Sequence, residues 1–305
     1  MSPFHHILLI VNPVSGLAQG VRIGQRLQKR LQGSGCHCAM RRTEKSGDAS
    51  AWAQRAGEEG FDLIVAIGGD GTLQEVAAGL VTAPRKIPVA HVPVGTANVI
   101  AIALSLPWST RLAQDIILNG QVIPFDVGYL PDLDRHFLLM AAIGYPARII
   151  QDSSRRLKST FGFLAYIGAA FRHAFIPDQA RLRIETENEQ FDLDGHTILV
   201  TNIGRIKDLR LKVSPTTSPH DGKFDVTIIS SRTFWDVLRI LFRLLTWRGR
   251  KPPRVRYCDA ERVTISADPP VPVQIDGEVL GSTPLTARIL PGAIEMVVPS
   301  SYSQQ

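Results

Sequence analysis

The first 100 residues alternate between short strand-like runs and longer segments in which apolar residues recur every three or four positions. The strand-like runs cover residues 7–11, 38–42, 63–67 and 87–92. Continuous apolar runs such as residues 63–67 are typical of parallel strands that are buried on both faces. Residues 21–31 and 48–59 repeat at helical spacing, and Asp48 is a candidate cap for the second helix. This alternation predicts a parallel α/β sheet.

The pattern changes near residues 124–128, after which short strand-like segments dominate the chain. These predicted strands cover residues 137–143, 180–187, 196–202, 224–230, 262–267, 271–275 and 286–290. Asp-Gly pairs beginning at Asp194, Asp221 and Asp276 predict turns between neighbouring strands. A series of short strands joined in this way is typical of an antiparallel sheet.

The sequence therefore predicts an α/β protein of two domains. Residues 1–124 are expected to form a Rossmann-like parallel α/β domain, to which the tail at 291–305 returns. Residues 125–290 are expected to form a mainly antiparallel β-sandwich domain, interrupted by helices near residues 157–171 and 233–247.

Three loops rich in glycine or other small residues follow predicted strands, at residues 12–16, 68–72 and 93–98. Parallel sheets bind ligands at the carboxyl ends of their strands, so these loops should surround one crevice. Glycine lets a polyphosphate approach the main chain, and a helix that starts near Thr72 favours an anion. Asp70 would repel phosphate unless a divalent cation intervenes or a proton is taken up, which indicates magnesium-dependent phosphoryl transfer. A generic strand-to-helix turn is the alternative interpretation.

Composition narrows the class of protein. The chain has 305 residues, of which 44% are hydrophobic and 20% charged, as is usual for a globular protein with a sizeable core. No apolar run approaches the roughly 18 residues needed to span a bilayer, and the first apolar run is too short for a signal peptide. We therefore expect a cytoplasmic protein whose membrane contact, if any, is peripheral. Three cysteines without CxxC spacing support neither a disulfide framework nor a zinc site.

The net charge of +6 is unevenly distributed. Between Arg232 and Arg256 there are eight basic residues and one acidic residue, Asp236, a local net charge of +7. Such an excess indicates an anionic partner surface, either phospholipid headgroups or nucleic acid, although a solvated basic face explains it equally well. The helix predicted at residues 233–247 mixes aromatic, apolar and basic residues, which suits a lipid interface or packing on its own domain.

Several motifs in order resemble the diacylglycerol kinase catalytic-domain family, which includes bacterial lipid kinases and sphingosine kinases. The resemblance extends over nearly the whole chain. It rests on Asn12-Pro13 with Ser15-Gly16, Gly68-Gly69-Asp70-Gly71-Thr72 with Glu75-Val76 and Gly79-Leu80, Pro93 with Gly95-Thr96-Ala97-Asn98, Phe163-Leu164-Ala165-Tyr166, Asp221-Gly222-Lys223-Phe224-Asp225-Val226, and Asp276-Gly277-Glu278 with Thr283-Pro284. Each motif is modest alone, but their order and spacing are specific.

The resemblance implies an enzyme that binds ATP and Mg²⁺ in an interdomain cleft and phosphorylates a lipid hydroxyl, such as that of diacylglycerol. The nucleotide-binding residues that it implies are Asn12, Thr43, Gly68, Gly69, Asp70, Gly71, Thr72, Leu73, Gln74, Gly95, Thr96 and Asn98. Hydroxyl and amide groups at these positions would hold phosphate without adding charge.

The same resemblance implies the catalytic groups and a second metal site. Glu278 is the implied base that deprotonates the acceptor hydroxyl, with Asp126 and Asp70 near it and the catalytic magnesium. A structural magnesium is implied at Ser218, Asp221 and Lys223, through the Asp221 carboxylate and two backbone carbonyls. A simple β-turn also explains the Asp221-Gly222 pair.

Departures from the family pattern affect acceptor recognition more than phosphate chemistry. Gln74 stands where asparagine is common, Val99-Ile100 stands where Asp-Phe is common, and Ile102 stands where arginine is frequent. An NAD kinase, which shares the GGDGT loop, is the alternative enzyme. No GxxxxGK[ST] or GxGxxG motif is present, which argues against P-loop and dinucleotide-binding sites.

Two further alternatives concern partners. A non-catalytic protein that binds lipid or a membrane surface is a different class of function, but the retained carboxylates Asp70, Asp126 and Glu278 argue against loss of the active site. Nucleic-acid binding is not expected, because the basic cluster has no recognisable recognition motif. An exposed edge strand in the second domain could pair two subunits as a homodimer.

Overall fold

The computed structural model describes residues 3–95, 98–152, 179–203, 205–206, 211–212, 218–230, 236 and 254–302. The chain forms two compact units, residues 1–127 with 291–305 and residues 128–290. The predicted break after residue 124 and the observed change at Val127 both fall within one strand, Gln121–Leu130. The helices predicted at 157–171 and 233–247 lie outside the described residues.

The first unit is built on a parallel sheet. Its strands are β1 (His6–Val11), β2 (His37–Arg42), β3 (Leu63–Gly68) and β4 (Val89–Pro93). They lie in the order β2-β1-β3-β4, and Met296 and Val297 of the last strand add to the open side of β4 in parallel. Every residue of β3 is buried, as its uninterrupted apolar sequence predicts.

Helices connect these strands and cover the sheet. They are α1 (Ser15–Ala18), α2 (Gly20–Gln32), α3 (Asp48–Ala56), α4 (Asp70–Val81), α5 (Val99–Ala103) and α6 (Thr110–Asn119). Leu27 and Leu31 of α2 and Ala113 and Ile117 of α6 share one apolar core with the odd-numbered residues of β1 and β3. The prediction of a parallel α/β domain is thus confirmed.

Two helix starts differ from the predictions. Helix α4 begins at Asp70 rather than at Thr72. Asp48 does not cap α3, because Gly47 precedes the helix with φ +90° and Asp48 is already its first residue. The Asp48 carboxylate instead accepts hydrogen bonds from the amides of Glu44 and Lys45, at 2.8 and 3.0 Å, which lower the pKa of this carboxyl.

The second unit is mainly antiparallel. Its elements, with two strands shared with the first unit, are β5 (Gln121–Leu130), β6 (Arg135–Phe137), β7 (Met140–Gly144), α7 (Tyr145–Asp152), β8 (Ala180–Thr186), β9 (Gln190–Gly195), β10 (Thr197–Thr201), β11 (Arg205–Ile206), β12 (Leu211–Lys212), β13 (Phe224–Ile229), β14 (Val255–Ala260), β15 (Arg262–Asp268), β16 (Pro272–Ile275), β17 (Glu278–Ser282) and β18 (Leu285–Val298).

Two antiparallel sheets of this unit enclose one apolar core. One has the order β14-β13-β10-β7-β16-β17, and in the other β15 pairs with β18 and β8, which pairs with β9. Phe137 and Phe224 stack at the centre of the core, with ring centroids 5.5 Å apart. The predicted antiparallel fold is confirmed.

Two predictions for this unit were wrong in detail, and two strands were missed. The strand predicted at 137–143 is two strands, β6 and β7, because the amides of Leu138 and Leu139 turn aside to bind a carboxylate. Asp194 and Gly195 do not form a turn but end β9, and the chain bends at His196. Strands β9 and β14 were not predicted.

A buried histidine in each unit makes folding sensitive to acid. His91 on β4 donates from Nδ1 to the carbonyl of Ala66 at 3.3 Å, and Nε2 has no partner among the described residues. Burial lowers the pKa of His91 to about 4, and burial also lowers the pKa of His196 to about 4. Both imidazoles are therefore neutral in the folded protein at pH values where an unfolded chain binds a proton.

We expect the contribution of these histidines to stability to be constant above pH 6.5 and to fall as the pH drops from 6.5 towards 4, because unfolding takes up a proton in that range. The slope should be about 1.4 kcal/mol per pH unit for each histidine. Urea unfolding at several pH values measures it, and His91→Gln should remove the contribution of His91 while keeping the remaining slope. An unchanged slope in His91→Gln would show that His91 titrates normally in the folded state.

Candidate functional site

The loops after β3 and β4 touch through two glycines. A Cβ atom on Gly95 would lie 2.7 Å from the Cα of Gly69 and 2.8 Å from Oδ1 of Asn98, so no other residue fits there without moving the backbone. The amide of Val94 donates to the carbonyl of Gly68 at 2.9 Å. The sequence prediction that these loops meet at one edge of the sheet is confirmed.

The loop after β1 joins the same edge. Gly16 has φ +58°, and a Cβ there would lie 2.2 Å from the carbonyl oxygen of Val94. The Asn12 amide donates to the carbonyl of Ile67 at 3.0 Å, and its side-chain Nδ2 donates to Oγ1 of Thr72 at 3.3 Å. Asn12 and Thr72, two of the predicted nucleotide-binding residues, are thus in direct contact.

The remaining predicted nucleotide residues lie at or near this edge, with some differences. Thr43 follows β2, and its amide donates to the carbonyl of Val11 at 2.9 Å. Leu73 is fully buried, so its side chain belongs to the core and cannot contact a ligand. Gln74 lies one residue further along α4 and is partly buried. Thr96 lies outside the described residues.

Asn98 shapes the loop after β4. It is buried and has φ +45°, and its side chain closes on Gly95 by accepting from the Gly95 amide at 3.1 Å and donating to the Gly95 carbonyl at 2.6 Å. These two bonds hold the Asn98 side chain against the backbone of Gly95. The predicted role of Asn98 in nucleotide binding stays a prediction.

Asp70 points at the start of α5. Its carboxylate accepts from the amides of Val99 at 2.8 Å and Ile100 at 3.3 Å, which stabilises an acidic group beside an amide-rich helix end. Burial raises the pKa of Asp70, and the two amides oppose that shift. These bonds tie the GGDGT loop to the loop after β4, a role that the sequence did not predict because the partners lie about thirty residues away.

Helix α4 presents its first turn at the same edge. Gly71 is exposed, and a Cβ there would meet no atom within 4 Å, whereas a Cβ on Gly68 would lie 2.3 Å from Oγ1 of Thr72. The first amides of a helix have no partner within the helix. Further along, Gly79 lets α4 approach α3, because a Cβ there would lie 2.2 Å from the carbonyl oxygen of Ser50. Gly68 and Gly79 are explained by packing, and Gly71 is open to a ligand.

Asp126 lies on β5 in the first unit. Its side chain is buried, and Oδ1 accepts from the amide of Gly292 at 2.7 Å. Gly292 has φ +53° and belongs to β18, which returns to this unit. Glu278 belongs to the second unit, so the predicted proximity of Asp126 and Glu278 stays a prediction.

Glu278 follows the hairpin turn between β16 and β17. It is the first residue of β17, its side chain is exposed, and it pairs with Ile275 across the turn. The turn needs unusual backbone angles, with φ +44° at Asp276 and +95° at Gly277. Asp and Gly are the residues that adopt such angles at least cost, and the turn places Glu278 facing solvent.

Asp276 anchors this turn, a role that sequence reasoning missed. Its carboxylate accepts from three consecutive amides, those of Leu138 at 3.1 Å, Leu139 at 3.2 Å and Met140 at 2.9 Å. Asn202 supports the same segment by donating from Nδ2 to the carbonyl of Leu138 at 3.0 Å. The sequence carried no signal for these bonds, because the three amides lie more than 130 residues before Asp276.

The predicted structural metal loop is closed by its own amides. The Asp221 carboxylate accepts from the amides of Ser218 at 3.1 Å and Lys223 at 3.0 Å, and the Asp221 amide donates to the Ser218 carbonyl at 3.3 Å. The three predicted residues thus lie together, in an arrangement that turn chemistry alone explains. Within the described ranges, no group of three or more His, Cys, Asp or Glu side chains is arranged to hold a metal ion.

The described end of the basic cluster has partners inside the protein. Arg254 lies 3.4 Å from the Asp236 carboxylate, and the Arg256 guanidinium lies 5.6 Å from the centre of the Phe191 ring. These two arginines therefore have partners within the protein, whereas the helix predicted at 233–247 lies outside the described residues. None of the helices that the structure describes is both long and apolar enough to cross a bilayer.

Comparison with known proteins gives the family. The chain matches the model of the diacylglycerol kinase catalytic domain over residues 6–130 and that of the YegS C-terminal NAD kinase beta sandwich-like domain over residues 140–298. A diacylglycerol kinase of Staphylococcus haemolyticus is 30% identical over 97% of this chain and 89% of its own length. One from Staphylococcus saprophyticus is 28% identical over 97% of this chain and 96% of its own length.

A solved structure shares the fold. The crystal structure of a diacylglycerol kinase from Bacillus anthracis superposes with a TM-score of 0.82 at 21% identity, covering 99% of this chain and all of that one. The two family matches follow each other along the chain, as its two-domain organisation requires. The chain therefore belongs to the diacylglycerol kinase family of lipid kinases.

Proposed function

We propose that this protein transfers the γ-phosphate of ATP, with Mg²⁺, to the hydroxyl group of diacylglycerol or a similar lipid. The observation that carries the proposal is the edge where Gly69 and Gly95 meet, with the exposed Gly71 and the Asn12–Thr72 contact beside them. The phosphates of ATP would bind at this edge. In a protein of the diacylglycerol kinase family, the phosphate bound there would be the group transferred to the lipid.

In this proposal the first unit binds the nucleotide. The first-turn amides of α4 would donate to phosphate oxygens, and the dipole of this twelve-residue helix would favour their negative charge. Asn12 and Thr72 would add side-chain donors, and Asn98 would keep the opposite loop in place. No lysine or arginine occurs in residues 68–74, so the phosphates would be held mainly by dipoles and by the cation.

Magnesium would be held by carboxylate oxygens. Both oxygens of Asp70 accept one amide each, and a carboxylate has about four acceptor sites, so lone pairs remain for a cation. One or two carboxylates with nucleotide phosphates and water are the usual ligands of Mg²⁺ in kinases. The ion would offset charge on the β- and γ-phosphate oxygens. Asp126 is the second candidate ligand, and a structural ion at Ser218, Asp221 and Lys223 remains a separate prediction.

Glu278 would act on the acceptor. Its exposed carboxylate would accept the proton of the lipid hydroxyl as the hydroxyl oxygen attacks the γ-phosphorus. Because a carboxylate is a weak base towards an alcohol, its contribution would come mainly from orientation. Asp276 would set that orientation by fixing the turn.

An NAD kinase is the second candidate, because the C-terminal family model is itself described as NAD kinase beta sandwich-like. ADP release from Mg-ATP distinguishes the two candidates. It is measured under three conditions: with diacylglycerol and other lipids in mixed micelles, with NAD as the acceptor, and without any acceptor. Lipid-dependent release supports the proposal. Release with NAD alone would assign the protein to the second candidate, and none with any acceptor would favour a non-catalytic lipid-binding protein.

Gly71 allows a test of nucleotide binding that is independent of folding. Gly71→Ala puts a methyl group into open space at the first turn of α4, where a phosphate is expected to lie. Alanine should leave stability unchanged or raise it by about 1 kcal/mol. The crowding should weaken ATP binding roughly 10-fold to 100-fold, as measured by calorimetry.

Gln54→Ala at an exposed position of α3 is the control and should change neither quantity. Normal ATP affinity in a stable Gly71→Ala variant would exclude phosphate binding at this turn.

A further inference from the structure

Lys45 is a basic residue in one of the loops at the carboxyl edge of the parallel sheet. This loop, residues 43–47, joins β2 to α3. The Lys45 side chain is exposed and forms no ion pair within the residues that the structure describes. It is also the only lysine or arginine in the four segments that follow the parallel strands, residues 12–16, 43–47, 68–72 and 93–98. A phosphate at this edge therefore has no other basic side chain from these segments beside it.

The carboxylate of Asp48 holds the backbone at Lys45. It accepts from the amides of Glu44 and Lys45, at 2.8 and 3.0 Å, and the Asp48 amide donates to the Lys45 carbonyl at 3.4 Å. Hydrogen bonds to a carboxylate are roughly twice as strong as those between neutral groups. The backbone of Lys45 is therefore bound to the start of α3, although residues 44–47 are all exposed.

Glu75 of α4 binds the other end of the loop. One of its carboxylate oxygens accepts from the Ser46 hydroxyl at 3.2 Å, and the other accepts from the Gly47 amide at 3.0 Å. Glu75 lies four residues after Gly71, so the two lie on the same side of α4, about 6 Å apart along the helix axis. Lys45 thus adjoins a segment that is bound one helical turn from Gly71, the position left open to a ligand.

We propose that Lys45 binds a phosphate group of ATP and that Glu75 is the positioning residue that keeps its loop beside α4. A lysine ammonium is a compact charge on a flexible four-carbon stem and is a common phosphate ligand in nucleotide sites. Helix dipoles carry only partial charges, so an unpaired lysine at the same edge adds what they lack. This role rests on the proposed function, because it takes ATP to be the nucleotide.

Calorimetric ATP binding, with Mg²⁺ and without a lipid acceptor, tests the role of Lys45. Lys45→Gln should weaken ATP binding about 10-fold, the usual order for one hydrogen bond between charged groups. Lys45→Arg keeps the charge and should recover most of the affinity. Wild-type affinity in Lys45→Gln would overturn the proposal.

Lys29→Gln is the matched control for the loss of one positive charge. Lys29 is exposed in the last turn of α2, a helix that returns to the opposite edge of the sheet. This variant should change ATP affinity less than about twofold, because exposed charges that are far apart interact weakly. A loss as large as that of Lys45→Gln would show that net charge matters rather than a phosphate contact, and would overturn the proposal.

A double-mutant cycle tests whether Glu75 acts through Lys45. Glu75→Ala releases Ser46 and Gly47 and should weaken ATP binding about fivefold when Lys45 is present, but less than about twofold in Lys45→Gln. Glu75→Gln can still accept from the Gly47 amide and should recover most of the affinity. Thermal unfolding without nucleotide gives the folded fraction, for which each affinity is corrected. Equal losses in both backgrounds would overturn the positioning role of Glu75.

Phosphorylation of diacylglycerol is measured in parallel. If ATP binds through Lys45 but no lipid is phosphorylated, the proposed function fails and the role of Lys45 stands. If lipid is phosphorylated and Lys45→Gln binds ATP normally, the role of Lys45 fails and the proposed function stands. A wild type that binds no ATP would overturn both.

Discussion

Replacing Glu278 with glutamine should lower kcat by about 10²-fold to 10⁴-fold, the usual range for the loss of a positioned general base. Glutamine has nearly the same shape but cannot take up the acceptor proton. Because Glu278 is exposed at the start of β17, the change should affect neither folding nor ATP affinity. Steady-state turnover with diacylglycerol measures kcat, and calorimetry measures the ATP affinity.

Glu261→Gln is the matched control, since Glu261 is an exposed glutamate in the same unit. It should keep wild-type turnover. If Glu278→Gln is as active as Glu261→Gln, the acceptor proton goes elsewhere and the assignment of the base is wrong.

The loss of the Asp276 side chain should have the second largest effect. Asp276→Ala removes the acceptor of three amides, those of residues 138 to 140, and releases the turn that carries Glu278. A displacement of about 1 Å at a catalytic group can cost about 100-fold in rate, so we expect a fall in kcat of that order with an unchanged KM for ATP. Unfolding free energy should fall by about 1–3 kcal/mol, the cost of leaving buried amides unpaired.

The conservative variant separates positioning from folding. Asp276→Asn keeps one oxygen for two of the amides and should recover part of the turnover. Asp259→Ala, at an exposed aspartate on β14, should have no effect. The folded fraction of Asp276→Ala is measured under the assay conditions. If kcat falls only in proportion to that fraction, Asp276 stabilises the fold and does not orient Glu278.

Where one physical rule dominated, the sequence predicted the structure well. The uniform apolar run of β3 fits only a strand covered on both faces, and the rule that loops gather at the carboxyl ends of parallel strands predicted the meeting of Gly69 with Gly95. The hairpin at Asp276-Gly277 was predicted because few other residues accept its backbone angles.

Where the deciding partner is distant in sequence, the prediction was incomplete or wrong. Asp70 was interpreted through phosphate and metal alone, yet its carboxylate binds the amides of Val99 and Ile100. The single strand predicted at 137–143 breaks because its amides bind Asp276, more than 130 residues away. Strand β9 was missed although Phe191 and Leu193 alternate with polar residues, because aspartate, which occupies two of its six positions, is uncommon in strands.

Lipid kinase activity is tested most directly by the transfer of label from [γ-³²P]ATP to diacylglycerol in mixed micelles, with the lipid product separated by chromatography. We expect a labelled, phosphorylated lipid whose formation requires magnesium and is lost in Glu278→Gln. Label that appears in no lipid, while ATP binds and the protein is folded, would contradict the claim that this chain is a lipid kinase.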